Sequence, residues 1–98
     1  MRHFHRTHIT PDAVLAIADR FFSALGLRAD DVGPRQRVFS SPALGALSLT
    51  VGPEGGHYTR IEVETDQVGE SRLDRNVKRF FVQVHREADP AHRLPAAY

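Results

Sequence analysis

Apolar residues recur at helical spacing towards the C-terminal end of the chain, over residues 69–86. They stand at positions i, i+4, i+7, i+8 and i+11, as Leu73, Val77, Phe80, Phe81 and Val84. This spacing predicts an amphipathic helix with one buried stripe. At about 100° per residue, the opposite face carries four arginines: Arg72, Arg75, Arg79 and Arg86. The helix therefore has a core face and a basic face, and the rest of the chain is expected to cover the core face.

A second helix is predicted in the first third of the chain. Thr10 is a favourable N-cap, Pro11 suits the first helical position, and Gly26 can end the helix in the left-handed backbone region. The expected core stripe is Val14, Ile17, Ala18, Phe21 and Leu25. Leu15 and Phe22 lie beside this stripe and widen the apolar arc to about half of the helix circumference. The additional apolar surface could face the other helix, a ligand or a second subunit.

Four segments have the composition or alternation of β-strands. They are residues 2–9, 36–40, 46–51 and 57–65. The GPEGG sequence between the last two is a hairpin connection whose glycines tolerate positive φ. Residues 28–35 contain aspartate, glycine and proline, and we expect a loop there. The predicted order is β-α-β-β-β-α. The fold class is therefore α+β in two layers, with an antiparallel sheet and both helices packed on one face.

The predicted core combines the apolar stripes of both helices with the inward positions of the strands. Its members are Val14, Ile17, Phe21, Leu25, Leu47, Leu49, Val51, Ile61, Val63, Leu73, Val77, Phe80, Phe81 and Val84. Polar residues alternate with the inward positions along the strands, so the other face of the sheet is expected to lie in water.

Length and composition indicate one small domain. A chain of 98 residues with 41% hydrophobic content can bury a single core. Residues 1–87 are expected to form the domain, and residues 88–98, which lack periodicity, a flexible tail. The absence of cysteine excludes disulfides, thiol nucleophiles and cysteine-based zinc sites. No apolar run suits a membrane span or a secretory signal, so we expect no membrane association and a cytoplasmic location.

Residue patterns typical of enzymes are missing from the sequence. The serines lack a GxSxG context, and GPEGG lacks the Lys-Ser/Thr that completes a phosphate loop. Glu62 and Glu64 share a strand face, which an ordinary solvated sheet surface explains. His3 and His5 would project from one strand face and could hold zinc, but a polar, His-rich terminus or edge strand is the favoured explanation because no further ligand stands at a fixed spacing. The sequence favours a non-enzymatic protein, with no catalytic residue, cofactor or bound metal expected.

Two stretches resemble parts of the START/polyketide-cyclase-like helix-grip superfamily. The first strand-to-helix connection of that superfamily is similar to ITPDAVLAIADRFF. Its closing hairpin and long C-terminal helix are similar to LSLTVGPEGGHYTRIEVETD and the following RLDRNVKRFF. The resemblance implies a hydrophobic ligand held between a curved sheet and that helix. The wide apolar arc of the first helix favours the same function. A groove between helices and sheet would then bind an apolar small molecule or a protein partner, with Leu15, Phe22 and Phe81 as ligand-binding residues.

The basic face of the last helix supports an alternative function. By its element order the chain is also similar to ribosome hibernation factors, and in its last five elements to double-stranded-RNA-binding domains. This similarity implies RNA or ribosome binding, for which the partner-binding residues would be Arg72, Arg75, Arg79 and Arg86. The net charge of +1 means that any such surface depends on local clustering of cations.

A homodimer is the expected assembly. Residues 46–51 carry no charge, and their outward side chains, Ala46, Ser48 and Thr50, are small. If such a strand lies at a sheet edge or presents this small-residue face, another copy could approach it closely. Leu15 and Phe22 would add an apolar patch that a single chain of this size would struggle to cover.

Overall fold

The computed structural model describes residues 1–89, with the side chain of Asp31 excepted. The elements are β1 (Arg2–Thr7), α1 (Pro11–Ala24), β2 (Arg28–Gly33), β3 (Gln36–Ser41), β4 (Gly45–Glu54), β5 (Tyr58–Thr65) and α2 (Arg72–Ala88). The strands form one antiparallel sheet in the order β1-β5-β4-β3-β2. Both helices pack against one face of this sheet and against each other. The predicted α+β class is confirmed.

The number of strands differs from the prediction. Instead of a loop over residues 28–35, Arg28–Gly33 forms the edge strand β2, which pairs with β3 and shifts register between Asp31 and Gly33. The order is therefore β-α-β-β-β-β-α. Aspartate and glycine are poor strand formers, but an edge strand needs only one partner and tolerates charged residues. Pairing with β3 outweighs the local preference for a loop.

Side chains at the N-termini of both helices accept backbone hydrogen bonds. The Thr10 hydroxyl accepts from the backbone N–H of Ala13 at 3.2 Å, as its prediction as an N-cap implies. Ser71 and Asp74 form a reciprocal capping box at the start of α2. At the end of α1, Gly26 has a φ of 88°, which is the left-handed conformation that favours glycine. The predicted tail over residues 88–98 lies, from residue 90 onwards, outside the described residues.

The face of α1 that packs on the sheet differs from the predicted one. The buried residues of this helix are Val14, Leu15, Ile17, Ala18 and Phe22. Phe21 is only partly buried, and Leu25 is 37% exposed. The Phe22 ring packs against Phe39 and Phe80, with centroid distances of 4.9 and 5.1 Å. Two adjacent arcs of the helix are apolar, so the position of these aromatic rings decides which arc is buried.

The remaining predicted core residues are buried as expected. These are Val14, Ile17, Leu47, Leu49, Val51, Ile61, Val63, Leu73, Val77, Phe80, Phe81 and Val84. Outside α1, three further apolar residues are buried that the prediction does not include, namely Leu27, Phe39 and Val82.

Two features on which the dimer prediction rested lie inside the molecule, whereas the small outward side chains of β4 remain accessible, with Thr50 exposed, so the dimer stays a prediction. Strand β4 is flanked by β5 and β3, so residues 46–51 are not at a sheet edge. Leu15 is 4% exposed and Phe22 is completely buried, so neither contributes to an apolar surface patch. The edges of the sheet are β1 and β2. Within the described residues, neither helix is long and apolar enough to cross a membrane.

We expect the two apolar arcs of α1 to differ strongly in their effect on stability. Phe22→Ala should lower the free energy of unfolding by about 3–5 kcal/mol, because it opens a cavity among packed rings. Leu25→Ala should lower it by about 0.5 kcal/mol or less, because much of that side chain already lies in water. Urea unfolding of both variants measures the difference. Equal losses would contradict this assignment of the buried face.

Candidate functional site

The histidines near the N-terminus lie along α2 and contact successive parts of that helix. The contacts are a hydrogen bond between His3 Nε2 and Asp74 Oδ1 at 2.8 Å, a ring stack of His5 on Phe81 at 5.0 Å, and a hydrogen bond between His8 Nε2 and the Ala88 carbonyl oxygen at 3.1 Å. His3 and His5, which the sequence places together on one face of the first strand, therefore join that strand to α2, and His8 adds a contact just after the strand.

The contacts of His3 and His5 differ from those of a metal site. Each imidazole interacts with its own partner on α2, one with a carboxylate and the other with a phenyl ring. Among residues 1–89, no group of three or more metal-ligating side chains comes together. The His-rich edge strand, which the sequence left as the alternative to zinc, agrees with the position of β1 at the sheet edge.

Asp74 is a fully buried carboxylate that accepts hydrogen bonds from three residues. Its Oδ1 atom accepts from His3 Nε2 and from the Thr65 hydroxyl, both at 2.8 Å. Its Oδ2 atom accepts from the Ser71 hydroxyl at 2.7 Å and from the Ser71 backbone N–H at 3.3 Å. Burial by itself raises the pKa of Asp74, but these hydrogen bonds outweigh it and lower the pKa to about 2. Asp74 is therefore ionised at neutral pH.

The charge of Asp74 determines which nitrogen of His3 carries the proton. An ionised carboxylate can only accept, so Nε2 carries a proton, and in the neutral form of the imidazole Nδ1 is then an acceptor. The His3 side chain is 8% exposed, and Nδ1 makes no hydrogen bond to the described residues. Because every buried side-chain nitrogen and oxygen among these residues has a partner, Nδ1 must reach solvent.

The solvent space beside His3 is a groove between β1 and α2, which we call the β1 groove. It has a volume of about 290 Å³ and is lined by His3, Phe4, Lys78 and Phe81. Its walls thus combine two phenyl rings, an imidazole acceptor and an ammonium group. Lys78 donates a hydrogen bond to Glu70. This bond and the charge of Lys78 lower the pKa of Glu70, so a cation is held at the groove.

A second cavity continues the β1 groove around the edge of the sheet. It has a volume of about 380 Å³ and is lined by Phe4, His5, Arg6, Glu54 and Arg60. Phe4 borders both cavities, and the Arg60 guanidinium lies 4.7 Å from the centroid of its ring. Since β1 is an edge strand, its outer backbone groups lie next to both cavities and could contribute further hydrogen bonds.

The three expected ligand-binding residues do not form one site. Phe81 lines the β1 groove, whereas Leu15 and Phe22 pack in the core between α1 and the sheet. His3 and Lys78 were not predicted as site residues. A signal was present in the sequence, since Asp74 follows Leu73 and stands three residues after Ser71. An acid in such a capping box, next to a core residue, indicates a buried carboxylate that needs additional donors.

The four predicted partner-binding arginines are all exposed on α2. None of them forms an ion pair with the described residues. Arg79 and Arg86 line a groove between the two helices, together with Phe21, Val82 and Gln83. Arg72 and Arg75 lie nearer the start of α2 and do not line this groove. The structure therefore divides the predicted basic face into two pairs.

No protein-family model matches the chain, and no curated protein matches its sequence. The resemblance to the helix-grip superfamily consequently stays a prediction.

We expect the contribution of Asp74 to the free energy of unfolding to depend on pH. The folded-state pKa lies below the ordinary value of 3.8, so the stabilisation is present above pH 3.8 and is lost as the pH falls through about 2. A shift of this size corresponds to about 2 kcal/mol. Asp74→Asn should therefore lower the free energy of unfolding by about 2 kcal/mol at pH 7, and the loss should shrink towards pH 2.

Urea unfolding at a series of pH values measures this dependence. Asp12→Asn is the matched control, because Asp12 is exposed in the first turn of α1, and it should change stability little. A penalty for Asp74→Asn that is constant from pH 7 to pH 2 would show that the charge of Asp74 has no part in the stabilisation.

His5 should make the fold sensitive to mild acid. Burial and the nearby His85 lower the pKa of His5 below 6.5, so the folded state favours the neutral imidazole. Its stabilisation is complete above pH 6.5 and decreases as the pH falls below that value. His5→Phe retains a ring against Phe81 but cannot be protonated, so its melting temperature should fall less than that of the wild type between pH 7.5 and 5. His57→Gln, a change in the exposed β4–β5 turn, should behave like the wild type.

Proposed function

We propose that the protein is a non-enzymatic binding domain that holds a small aromatic molecule bearing a hydroxyl group in the β1 groove. The observation that carries this proposal is the His3 imidazole, whose Nε2 atom Asp74 holds beside the rings of Phe4 and Phe81. In the neutral form of this imidazole, on which the proposal rests, Nδ1 is an acceptor. The ligand ring would pack on Phe81 and Phe4. Its hydroxyl would donate a hydrogen bond to His3 Nδ1.

The polarity of the groove favours a ligand that donates a hydrogen bond. A ligand that covers His3 removes water from Nδ1, and an acceptor left without a partner costs about 1–3 kcal/mol. Aromatic hydroxyl groups are also relatively acidic, and the ammonium group of Lys78 favours the negative charge that develops on the oxygen. A phenol therefore suits the groove better than an aliphatic hydrocarbon does.

The size of the groove suits a small molecule. Its volume of about 290 Å³ lies near the lower end of the range for ligand pockets. Its lining combines the rings of Phe4 and Phe81 with two polar side chains, His3 and Lys78, and small-molecule sites commonly combine aromatic and polar groups in this way. A ligand here would contact both the sheet and the C-terminal helix, as the helix-grip resemblance implies, although at the edge of the sheet.

Binding is favoured over catalysis by the groups around His3. An oriented Asp–His pair can serve as a general base, but hydrolysis by an activated side chain needs a hydroxyl or thiol nucleophile within reach. The residues that line the β1 groove have neither, and Lys78 is engaged by Glu70. The His3–Asp74 pair is therefore best suited to recognise a ligand and to hold β1 on α2.

Titration with 4-nitrophenol, at a pH low enough for its hydroxyl group to keep its proton, tests the proposal. 4-Nitroanisole is the matched ligand because its methylated oxygen cannot donate. We expect 4-nitrophenol to bind at least about tenfold more tightly, since about 1.4 kcal/mol depends on the donated hydrogen bond. The ring nitrogen signals of His3 in ¹⁵N NMR should shift on binding. Equal affinity for the two compounds would contradict the proposal.

Two variants separate recognition by His3 from a general loss of structure. In Asp74→Asn the amide can donate to Nε2, which favours the other tautomer and turns Nδ1 into a donor. This variant should lose the preference for 4-nitrophenol while its imidazole ring remains present. Lys78→Gln changes a residue at the surface and should weaken 4-nitrophenol more than 4-nitroanisole. Circular dichroism of each variant checks that the fold is retained.

A further inference from the structure

A groove between the two helices, which we call the interhelix groove, lies on the side of α2 away from β1. Its volume is about 290 Å³, and it is lined by Phe21, Arg79, Val82, Gln83 and Arg86. An adjoining cavity of about 140 Å³ shares Phe21 and Gln83 and adds Ile17, Arg20 and Glu87. Since the two cavities share two lining residues, they form one continuous depression between α1 and α2.

The floor of the interhelix groove is apolar and firmly supported. The Phe21 ring packs against Phe22 and Phe80, with centroid distances of 5.2 and 5.9 Å, and is only partly buried. Val82 lies beside it on α2. Leu25, one helical turn after Phe21, is 37% exposed and extends the apolar strip towards the end of α1. A partner that covers this strip would remove apolar surface from water.

The arginines at the groove differ in whether an acidic side chain forms an ion pair with them. Arg20 donates to Glu87 at 2.9 Å, and Glu87 also accepts from Gln83. Arg79 and Arg86, in contrast, form no ion pair with the described residues. The net charge of the chain is only +1, so this surplus of positive charge is local. The α2 side of the groove therefore carries two arginines without an ion-pair partner among the described residues, whereas its acid, Glu87, is paired with Arg20.

We infer that the interhelix groove docks an acidic amphipathic helix of a partner protein. Arg79 and Arg86 are seven residues apart, which is about 10.5 Å along α2. Two acidic residues seven apart on a partner helix repeat at the same distance and can meet both arginines. Apolar residues on the same face of that helix would fill the floor at Phe21, as in other helix-in-groove complexes.

The groove fits a protein better than RNA because of its floor. Contacts to a nucleic-acid backbone use cations and hydrogen-bond donors and do not require buried apolar side chains. Protein interfaces combine arginine with aromatic anchors in partly enclosed pockets. Arg79 and Arg86 lie beside the Phe21 ring, so the groove has the composition of a protein interface.

Fluorescence anisotropy with a labelled peptide of about 18 residues tests the inference. The peptide carries leucines on one helical face and glutamates seven residues apart beside them, and its control replaces the glutamates with glutamine. We expect the glutamate peptide to bind, and the glutamine peptide to bind at least about tenfold more weakly. The Arg79→Glu/Arg86→Glu double variant should lose about tenfold in affinity for the glutamate peptide.

Arg72→Glu/Arg75→Glu is the matched control, because it reverses the same number of charges on the same helix outside the groove. Its affinity should change by less than about threefold. No binding of the glutamate peptide, or equal binding of both peptides, would overturn the inference. The inference would also be overturned if a labelled RNA duplex bound more tightly than the glutamate peptide and both double variants weakened this binding equally. That result would indicate RNA recognition by the whole basic face. Neither double variant replaces a residue that lines the β1 groove, so both should still bind 4-nitrophenol in preference to 4-nitroanisole.

Discussion

The buried carboxylate of Asp74 is the interaction on which the arrangement of the sheet edge and α2 depends. Its hydrogen bonds come from Ser71 before α2, Thr65 at the end of β5, and His3 in β1. A buried charge without donors would cost several kcal/mol, so the burial of Asp74 requires these three segments to meet at its carboxylate. The same bond orients the His3 ring. The hydrogen bond between Asp74 and His3 thus both holds β1 on α2 and orients the imidazole in the β1 groove.

The packing of the aromatic core determines where binding can take place. Phe22, Phe39 and Phe80 form a cluster between the helices and the sheet, with ring centroids about 5 Å apart. The space in which a helix-grip protein would hold a ligand is occupied here by these side chains. The accessible depressions lie instead at the margins of α2, where it meets β1 on one side and α1 on the other.

Helix α2 contributes to both depressions through different faces. Lys78 and Phe81 face β1, whereas Arg79 and Val82 face α1, because successive residues are about 100° apart around a helix. The two proposed binding surfaces therefore share an element without sharing a side chain. The rigidity that α2 gains from the aromatic core and from the capping box at Ser71 benefits both surfaces.

The sequence by itself determined the secondary structure that rests on local periodicity and capping. Both helices, three central strands and most of the core followed from apolar spacing, from Thr10 and from the GPEGG turn. Periodicity describes the faces of an element relative to its own axis, and it contains no information about which neighbour covers each face. The tertiary structure therefore decided that Phe22 is buried while Leu25 is exposed, and that β4 is internal. Long-range pairing made β2 a strand despite its aspartates. The approach of β1 to α2 placed His3 against Asp74, 71 residues away in the chain, a distance over which local sequence patterns carry no signal.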